Sequence, residues 1–359
     1  MRGIERGHDC DSRLRGVSAR ESEGDGAGVR LHVVTGKGGT GKTTVAASLA
    51  LALASGGGRV LLVEVEGRQG FAQLFGCPPL PYEERKVADA PGGGEVLALA
   101  VDAEAALMEY LELFYGMRRA GTILSRFGAV DFATTIAPGL RDVLVTGKAT
   151  EAVRRRAGAD RRRGTREAAR APFVYDAVVM DAPPTGRIAQ FLNVNSEVAG
   201  LARVGPIRNH ADKVMETIRS PETAVHCVSL LEEMPAQESL DGIAELTEIG
   251  LNVGSLVVNM VREPLFDART LEAAAAGELD TEVLTRGLKA AMLDQPEERS
   301  RQLATEIVEH ARRVQAETKI RRWLSAVEHP MRELPLTSDG ITVESLYELA
   351  GRLREQGMA

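Results

Sequence analysis

One glycine-rich stretch constrains this chain more than any other feature: the nine residues Gly36-Lys37-Gly38-Gly39-Thr40-Gly41-Lys42-Thr43-Thr44. They fit the pattern G-x-x-x-x-G-K-[ST]. Glycines let successive backbone N–H groups turn inward around phosphate oxygens with no Cβ in the way. Lys42 offers a point charge to the β- and γ-phosphates, and the Thr43 hydroxyl is a ligand for Mg²⁺. The pattern carries meaning only between a strand and a helix. Residues 30–35 (RLHVVT) predict a short buried strand, residues 43–55 an Ala/Leu-rich helix, and Gly56-Gly57-Gly58 its stop. Residues 59–65 (RVLLVEV) predict a second strand. Strand, helix and strand in so short a span make a βαβ unit and hence a parallel sheet. ATP with Mg²⁺ is the expected cofactor pair, and Gly36 to Thr44 are its expected cradle.

Further short Val- and Leu-rich strands are predicted at 96–101, 174–180, 224–230, 255–259 and 333–336. Continuous apolar runs suit parallel strands covered on both faces. The expected fold class is α/β: a mostly parallel, doubly wound sheet with an inserted α-helical subdomain. Residues 1–28 predict a disordered tail, and 29–359 one ATPase domain. Within it lie a helical subdomain at about 103–171 and a second helical block at about 264–327, which includes a long helix near 298–324. A last helix near 343–356 places Val343, Leu346, Leu349 and Leu353 roughly on one face, with mixed charge opposite, which predicts packing on the sheet.

Composition excludes several classes. Hydrophobic residues at 44% and charged residues at 26% describe a globular chain. The formal net charge of −7 argues against a nucleic-acid partner. Cys10, Cys77 and Cys227 form no C-x-x-C pair, which suits a reducing, cytoplasmic setting. No apolar run is long enough to predict a transmembrane segment, and the charged start has no signal-peptide core. Residues 154–170 hold eight Arg against Asp160 and Glu167, a solvated surface stretch or a contact for an anionic surface.

Two acids follow predicted strands. Glu66 comes after the second strand, where a carboxylate can position water at the γ-phosphate. Asp181 follows four apolar residues at the end of 174–180, the place of an acid that holds Mg²⁺ directly or through water. Thr43 and Asp181 are therefore the expected metal residues, and Lys42, Glu66 and Asp181 expected catalytic residues, a set that the family resemblance below extends to Lys37.

With these motifs in place, the chain resembles the arsenite-pump and tail-anchored-protein targeting ATPase family, within the SIMIBI class of P-loop NTPases. Lys37, at the second position of the loop, is similar to the extra lysine of that class's deviant Walker A motif. The resemblance implies that Lys37 reaches a partner's nucleotide in a dimer. Asp181 to Arg187 (DAPPTGR) resembles a second switch reading D-T-A-P-T-G-H, with Arg187 in place of His. Glu66 stands where the first switch, D-P-A-H/S, has Asp. Pro138-Gly139-Leu140 and the segment 233–239 (EMPAQES) resemble later family motifs. Asn259 stands where a strand-end Asn reads adenine, and Pro335-Leu336 where a loop covers the base. The wording VEVEGRQG and DAPPTGR is most similar to an actinobacterial branch of anion-transporting ATPases.

The resemblance implies a dimeric switch ATPase, homomeric or paired with a paralogue, whose hydrolysis moves a helical subdomain that binds or releases a protein client. The candidate client wall is Leu107, Met108, Leu111, Phe114, Tyr115, Met117, Ile123, Leu124, Phe127 and Phe132, residues that can equally form the subdomain's own core. Two other readings stay open: a nucleotide-gated scaffold with weak ATPase activity, motivated by Glu66, and a partition-type ATPase on DNA or membrane, motivated by the Arg-rich stretch.

Overall fold

Leu31–Gly36 (β1) is apolar along its whole length and is buried throughout, because the sheet it belongs to is covered on both faces. The computed structural model describes residues 28–102, 104–106, 108–109, 140–158, 171–201, 206–338 and 340–359. After β1 come α1 (Lys42–Ala54), β2 (Arg59–Glu64), α2 (Gly70–Leu74), β3 (Arg85–Ala90) and β4 (Gly94–Ala100). Next are α3 (Leu140–Arg154), β5 (Ala177–Asp181), α4 (Thr185–Leu201), α5 (Pro206–Ile218), β6 (Thr223–Ser229), α6 (Glu233–Glu248) and β7 (Val253–Val261). The chain ends with α7 (Ala268–Ala276), α8 (Thr281–Ala290), α9 (Pro296–Leu324), β8 (Met331–Pro335) and α10 (Val343–Glu355).

The strands form one eight-stranded sheet in the order β3-β4-β2-β5-β1-β6-β7-β8. Every pairing is parallel except β3 with β4. Side chains alternate cleanly between its faces. Leu31 and Val33, Leu61 and Val63, and Val178 and Met180 enter one core with α3, α4, α5 and α6. Val34, Val60, Leu62, Ala177 and Val179 enter the other with α1, α2 and α10. This is the expected doubly wound, mostly parallel arrangement.

Helix α1 is buried between the sheet and α10, and its Ala-rich sequence (KTTVAASLALALA) permits that close approach. The last helix packs as its pattern predicts. Leu346, Leu349 and Leu353 are each at most 2% exposed, so truncation of any of them to Ala costs about 2–5 kcal/mol. Thr342 and Ser345 close its N-terminus in a reciprocal capping box. Helices α7 and α9 enclose a satellite core of Leu271, Ala274, Ile307 and Ala311, within the expected second helical block.

Strand boundaries moved by up to three residues from the expected ones. The strand expected at 174–180 begins at Ala177 and takes in Asp181, and β2 stops at Glu64, one residue early. Strand β3 (RKVADA) was not expected at all, since an edge strand exposed on one side needs no apolar run. Among the described residues no helix is long and apolar enough to cross a membrane. The expected tail up to residue 27, residues 159–170 of the Arg-rich stretch, Pro138 and Gly139 lie outside the described residues. So does the expected client wall, save Met108.

Candidate nucleotide site

The loop Gly36–Gly41 leaves β1 at the carboxyl edge of the sheet and enters α1, as a phosphate cradle requires. Two glycines are dictated by their surroundings. A Cβ on Gly36 would collide with the Val228 carbonyl, and one on Gly41, at φ 86°, with the Asn259 amide. The loop closes on itself where Thr40 Oγ1 donates to the Lys37 carbonyl at 2.9 Å. From outside it is held by Asn259 Nδ2, which donates to the Thr40 carbonyl at 2.9 Å. Gly41, the N-cap of α1, has no side chain to accept from the helix's first amides, and no acid lies in the first turn. Those amides and the positive end of the helix dipole are thereby left for an anion.

The structure brings Thr43, Lys42, Asp181 and Glu66 together. Thr43 Oγ1, in the first turn of α1, donates to Asp181 Oδ2 at 2.7 Å. Desolvation pushes the Asp181 carboxyl up to about 6, reinforced by Glu64 and Glu66 and opposed by the Thr43 hydrogen bond and by Lys42. Burial holds the Lys42 ammonium below its usual range against the pull of Asp181 and Glu66. Glu66 lies two residues past the end of β2, half-buried, with Oε2 3.3 Å from the Arg68 guanidinium.

Lys37 points elsewhere. Its Nζ lies 2.6 Å from Glu238 Oε1 in the first turns of α6, with both side chains about one-third exposed. The other oxygen of Glu238 sits 3.5 Å from Thr185 Oγ1, at the start of α4 just after Asp181. Asn259 and Leu336 gather on the far side of the loop, at the carboxyl ends of β7 and β8. Asn259 is buried, while Pro335 and Leu336 are exposed. Leu336 N donates to the Val261 carbonyl at 2.9 Å and ties the two strand ends together.

Four residues with contacts at or beside the loop escaped the sequence reading. Glu64, the last residue of β2, is 3% exposed and accepts from the Gly70 amide at 3.2 Å. Its signal was available, because an acid inside an otherwise apolar buried strand is costly unless something compensates it. Glu238 lay in a quoted motif without a role. Arg141 and Asp142 open α3: the Arg141 guanidinium donates to the Val65 carbonyl at 3.1 Å, and Asp142 lies 3.6 Å from Arg187. No local pattern announces these contacts, since they join distant parts of the chain. Burial raises the Asp142 carboxyl, while Arg187 and Arg141 pull it down.

Comparison with known proteins matches residues 29–219 to the family model described as anion-transporting ATPase. The ATPase BagA of Mycobacterium tuberculosis is 50% identical over 332 residues, covering 92% of this chain and 94% of that protein. The ATPase GET3 of Kluyveromyces lactis is 26% identical over 65% of this chain and 72% of its own length. The arsenical pump-driving ATPase of Escherichia coli is 28% identical over 70% of this chain and 42% of its own length.

Proposed function

This chain belongs to the anion-transporting ATPase family and hydrolyses ATP, and from that premise we propose a Mg²⁺-dependent dimeric switch whose nucleotide state sets the position of its helical insert. The loop amides and Lys42 grip the triphosphate. Thr43 and Asp181 fit Mg²⁺, since a hydroxyl and a carboxylate with a buried, unpartnered Oδ1 make a hard oxygen donor set. When bound there, the metal would neutralise charge on the transferring phosphoryl group. Glu66 positions the attacking water, and Asn259, Pro335 and Leu336 border the base.

The dimer reading rests on Lys37. In one protomer it is paired with Glu238; in the dimer it leaves that carboxylate for the partner's nucleotide and stabilises charge there as a finger in trans. The partner is a second copy or a paralogue. The proposed client is a protein held by the helical insert and released as the nucleotide changes.

The observation that carries the switch reading is the first turn of α3. Two adjacent residues there hold both segments that border the nucleotide: Arg141 the Val65 carbonyl after β2, and Asp142 the Arg187 side chain after β5. Movement of either segment on nucleotide binding acts on the same helix end. Hydrogen exchange of residues 140–154 tests this. We expect those amides to differ in protection between the ADP state and a non-hydrolysable ATP state with Mg²⁺, and the difference to shrink in Asp142→Ala. Identical exchange in both states would sink the switch reading. A protein that stays monomeric by sedimentation with Mg²⁺ and the ATP analogue would sink the dimer.

The scaffold reading keeps one motivating feature, the longer side chain of Glu66. Single-turnover hydrolysis on the isolated dimer decides between the two, because a scaffold would hold ATP without a chemical step.

A further inference from the structure

We propose that Glu64 is a second metal-facing carboxylate of this site, beside Asp181, which would hold water bound to Mg²⁺; the proposal rests on the reading of the cradle as a Mg²⁺–nucleotide site. The argument begins with strand parity. In β2, Val60 and Leu62 face the core shared with α1, and in β5 so do Ala177 and Val179. Glu64 and Asp181 continue those two series. They are also register partners across the parallel pair β2–β5. Their carboxylates therefore emerge side by side at the carboxyl edge, on the face where α1 begins.

Thr43 and Gly70 complete the cluster. Thr43 donates to Asp181. Gly70, whose amide donates to Glu64, approaches Thr43 so closely that an added Cβ would lie 2.9 Å from Thr43 Cγ2. Each acid has spent one oxygen on these contacts. The other oxygen of each, Glu64 Oε2 and Asp181 Oδ1, is buried with no hydrogen-bond partner.

Two adjacent buried carboxylates, each with an open oxygen, are expensive for the chain alone. Lys42 is the cation that acts on Asp181, and one ammonium does not balance two acids. If Glu64 served only to cap the Gly70 amide, a glutamine would do so without a buried charge. A hydrated divalent cation accounts for both open oxygens. Mg²⁺ keeps several waters and uses one or two carboxylates besides phosphate oxygens. Among the described residues no group of three or more His, Cys, Asp or Glu is arranged to hold a metal, so the remaining ligands would have to be water and phosphate oxygens. Glu66 is the less suitable acid, since it lies beyond the strand and is engaged by Arg68.

The test is Mn²⁺ binding, read by electron paramagnetic resonance, to full-length protein with saturating ADP. Glu64→Gln should weaken Mn²⁺ by about tenfold or more, a larger loss than Glu66→Gln produces. ADP affinity in EDTA should be the same in wild type and Glu64→Gln. A second readout covers folding: in EDTA, Glu64→Gln should melt at or above the wild-type temperature, because one uncompensated buried charge is gone. Unchanged Mn²⁺ affinity in Glu64→Gln, a larger loss in Glu66→Gln, or a lower melting point in EDTA would each overturn the proposal. If wild type bound ADP but Glu64→Gln matched it with Mn²⁺, only this inference would fall. If wild type bound no nucleotide, the underlying site reading would fall with it.

Discussion

At the carboxyl edge of β2 and β5 the chain sets Glu64 and Asp181 beside the glycine-rich loop, each with a buried oxygen that no described residue satisfies. Toward the amino edge of β1 and β6 it buries His32 and His226 against one another. Those rings stack with centroids 5.3 Å apart, and His32 Nδ1 lies 3.1 Å from His226 Nε2. The Ser255 amide donates to His226 Nδ1 at 3.0 Å. That bond fixes the tautomer: His226 Nε2 carries the proton and donates to His32. Desolvation lowers both rings, His32 to about 4 and His226 well below its usual value. One sheet thus buries polarity in two ways. The stacked rings are buried neutral, each held by the other, with His32 Nε2 left without a hydrogen-bond partner among the described residues. The carboxylates instead keep open oxygens, which the proposed Mg²⁺ would complete.

The sharpest way to break this contrast is at Lys37. Lys37→Ala should keep ATP binding, read by calorimetry, yet lose hydrolysis by about a thousandfold, the scale of a finger supplied to the transferring phosphoryl group. A rate equal to wild type would exclude the role in trans and leave Lys37 as a surface ion pair with Glu238.

A smaller effect comes from pH, where the two edges oppose each other. For the histidines the folded state refuses protons that the unfolded chain accepts below its pKa of about 6.5. Their stabilisation is complete above that value and is lost as pH falls toward 4. Asp181 has the opposite sign: its carboxyl is raised to about 6, so the folded state loses stability as pH climbs from the ordinary value to that point. Urea unfolding at pH 7 and pH 5 should show a loss of about 1–2 kcal/mol for each ring, partly cancelled by Asp181 in EDTA. With Mg²⁺ and ADP the cancellation should vanish and the loss should steepen. Equal stability at both pH values in both conditions would show that the rings are not buried neutral.

The smallest expected effect is Glu238→Gln. It weakens the hold on Lys37 in an ion pair that is about one-third exposed, worth at most about 1 kcal/mol, so the hydrolysis rate should rise by about fivefold or less. A fall in rate would mean that Glu238 positions Lys37 for catalysis instead of restraining it.

The phosphate loop was legible because its whole meaning is local: glycines, a lysine and a threonine at fixed spacing between a strand and a helix. The apolar strands were legible for the same reason, as was Asp181 at the end of one. Edge strand β3 was not, because Arg85, Lys86 and Asp89 give it the composition of a loop and only its pairing with β4 makes it a strand. Glu64 was not legible because it shares its parity with Glu66; only the end of β2 at Glu64 separates the two acids, and that end is set by pairing with distant strands. The links Lys37–Glu238 and Asp142–Arg187 join segments far apart in the chain, and nothing in local sequence pairs them. Asn259 lies inside β7, two residues short of its end, and its amide is engaged by the loop itself.

The most direct test is calorimetric titration of a non-hydrolysable ATP analogue with Mg²⁺ into wild type and Lys42→Ala, paired with their hydrolysis rates. If the loop amides and Lys42 grip a triphosphate, wild type binds and turns over ATP, while Lys42→Ala loses turnover by at least about a hundredfold. Absence of binding in wild type, or equal turnover in the two proteins, would contradict the nucleotide site.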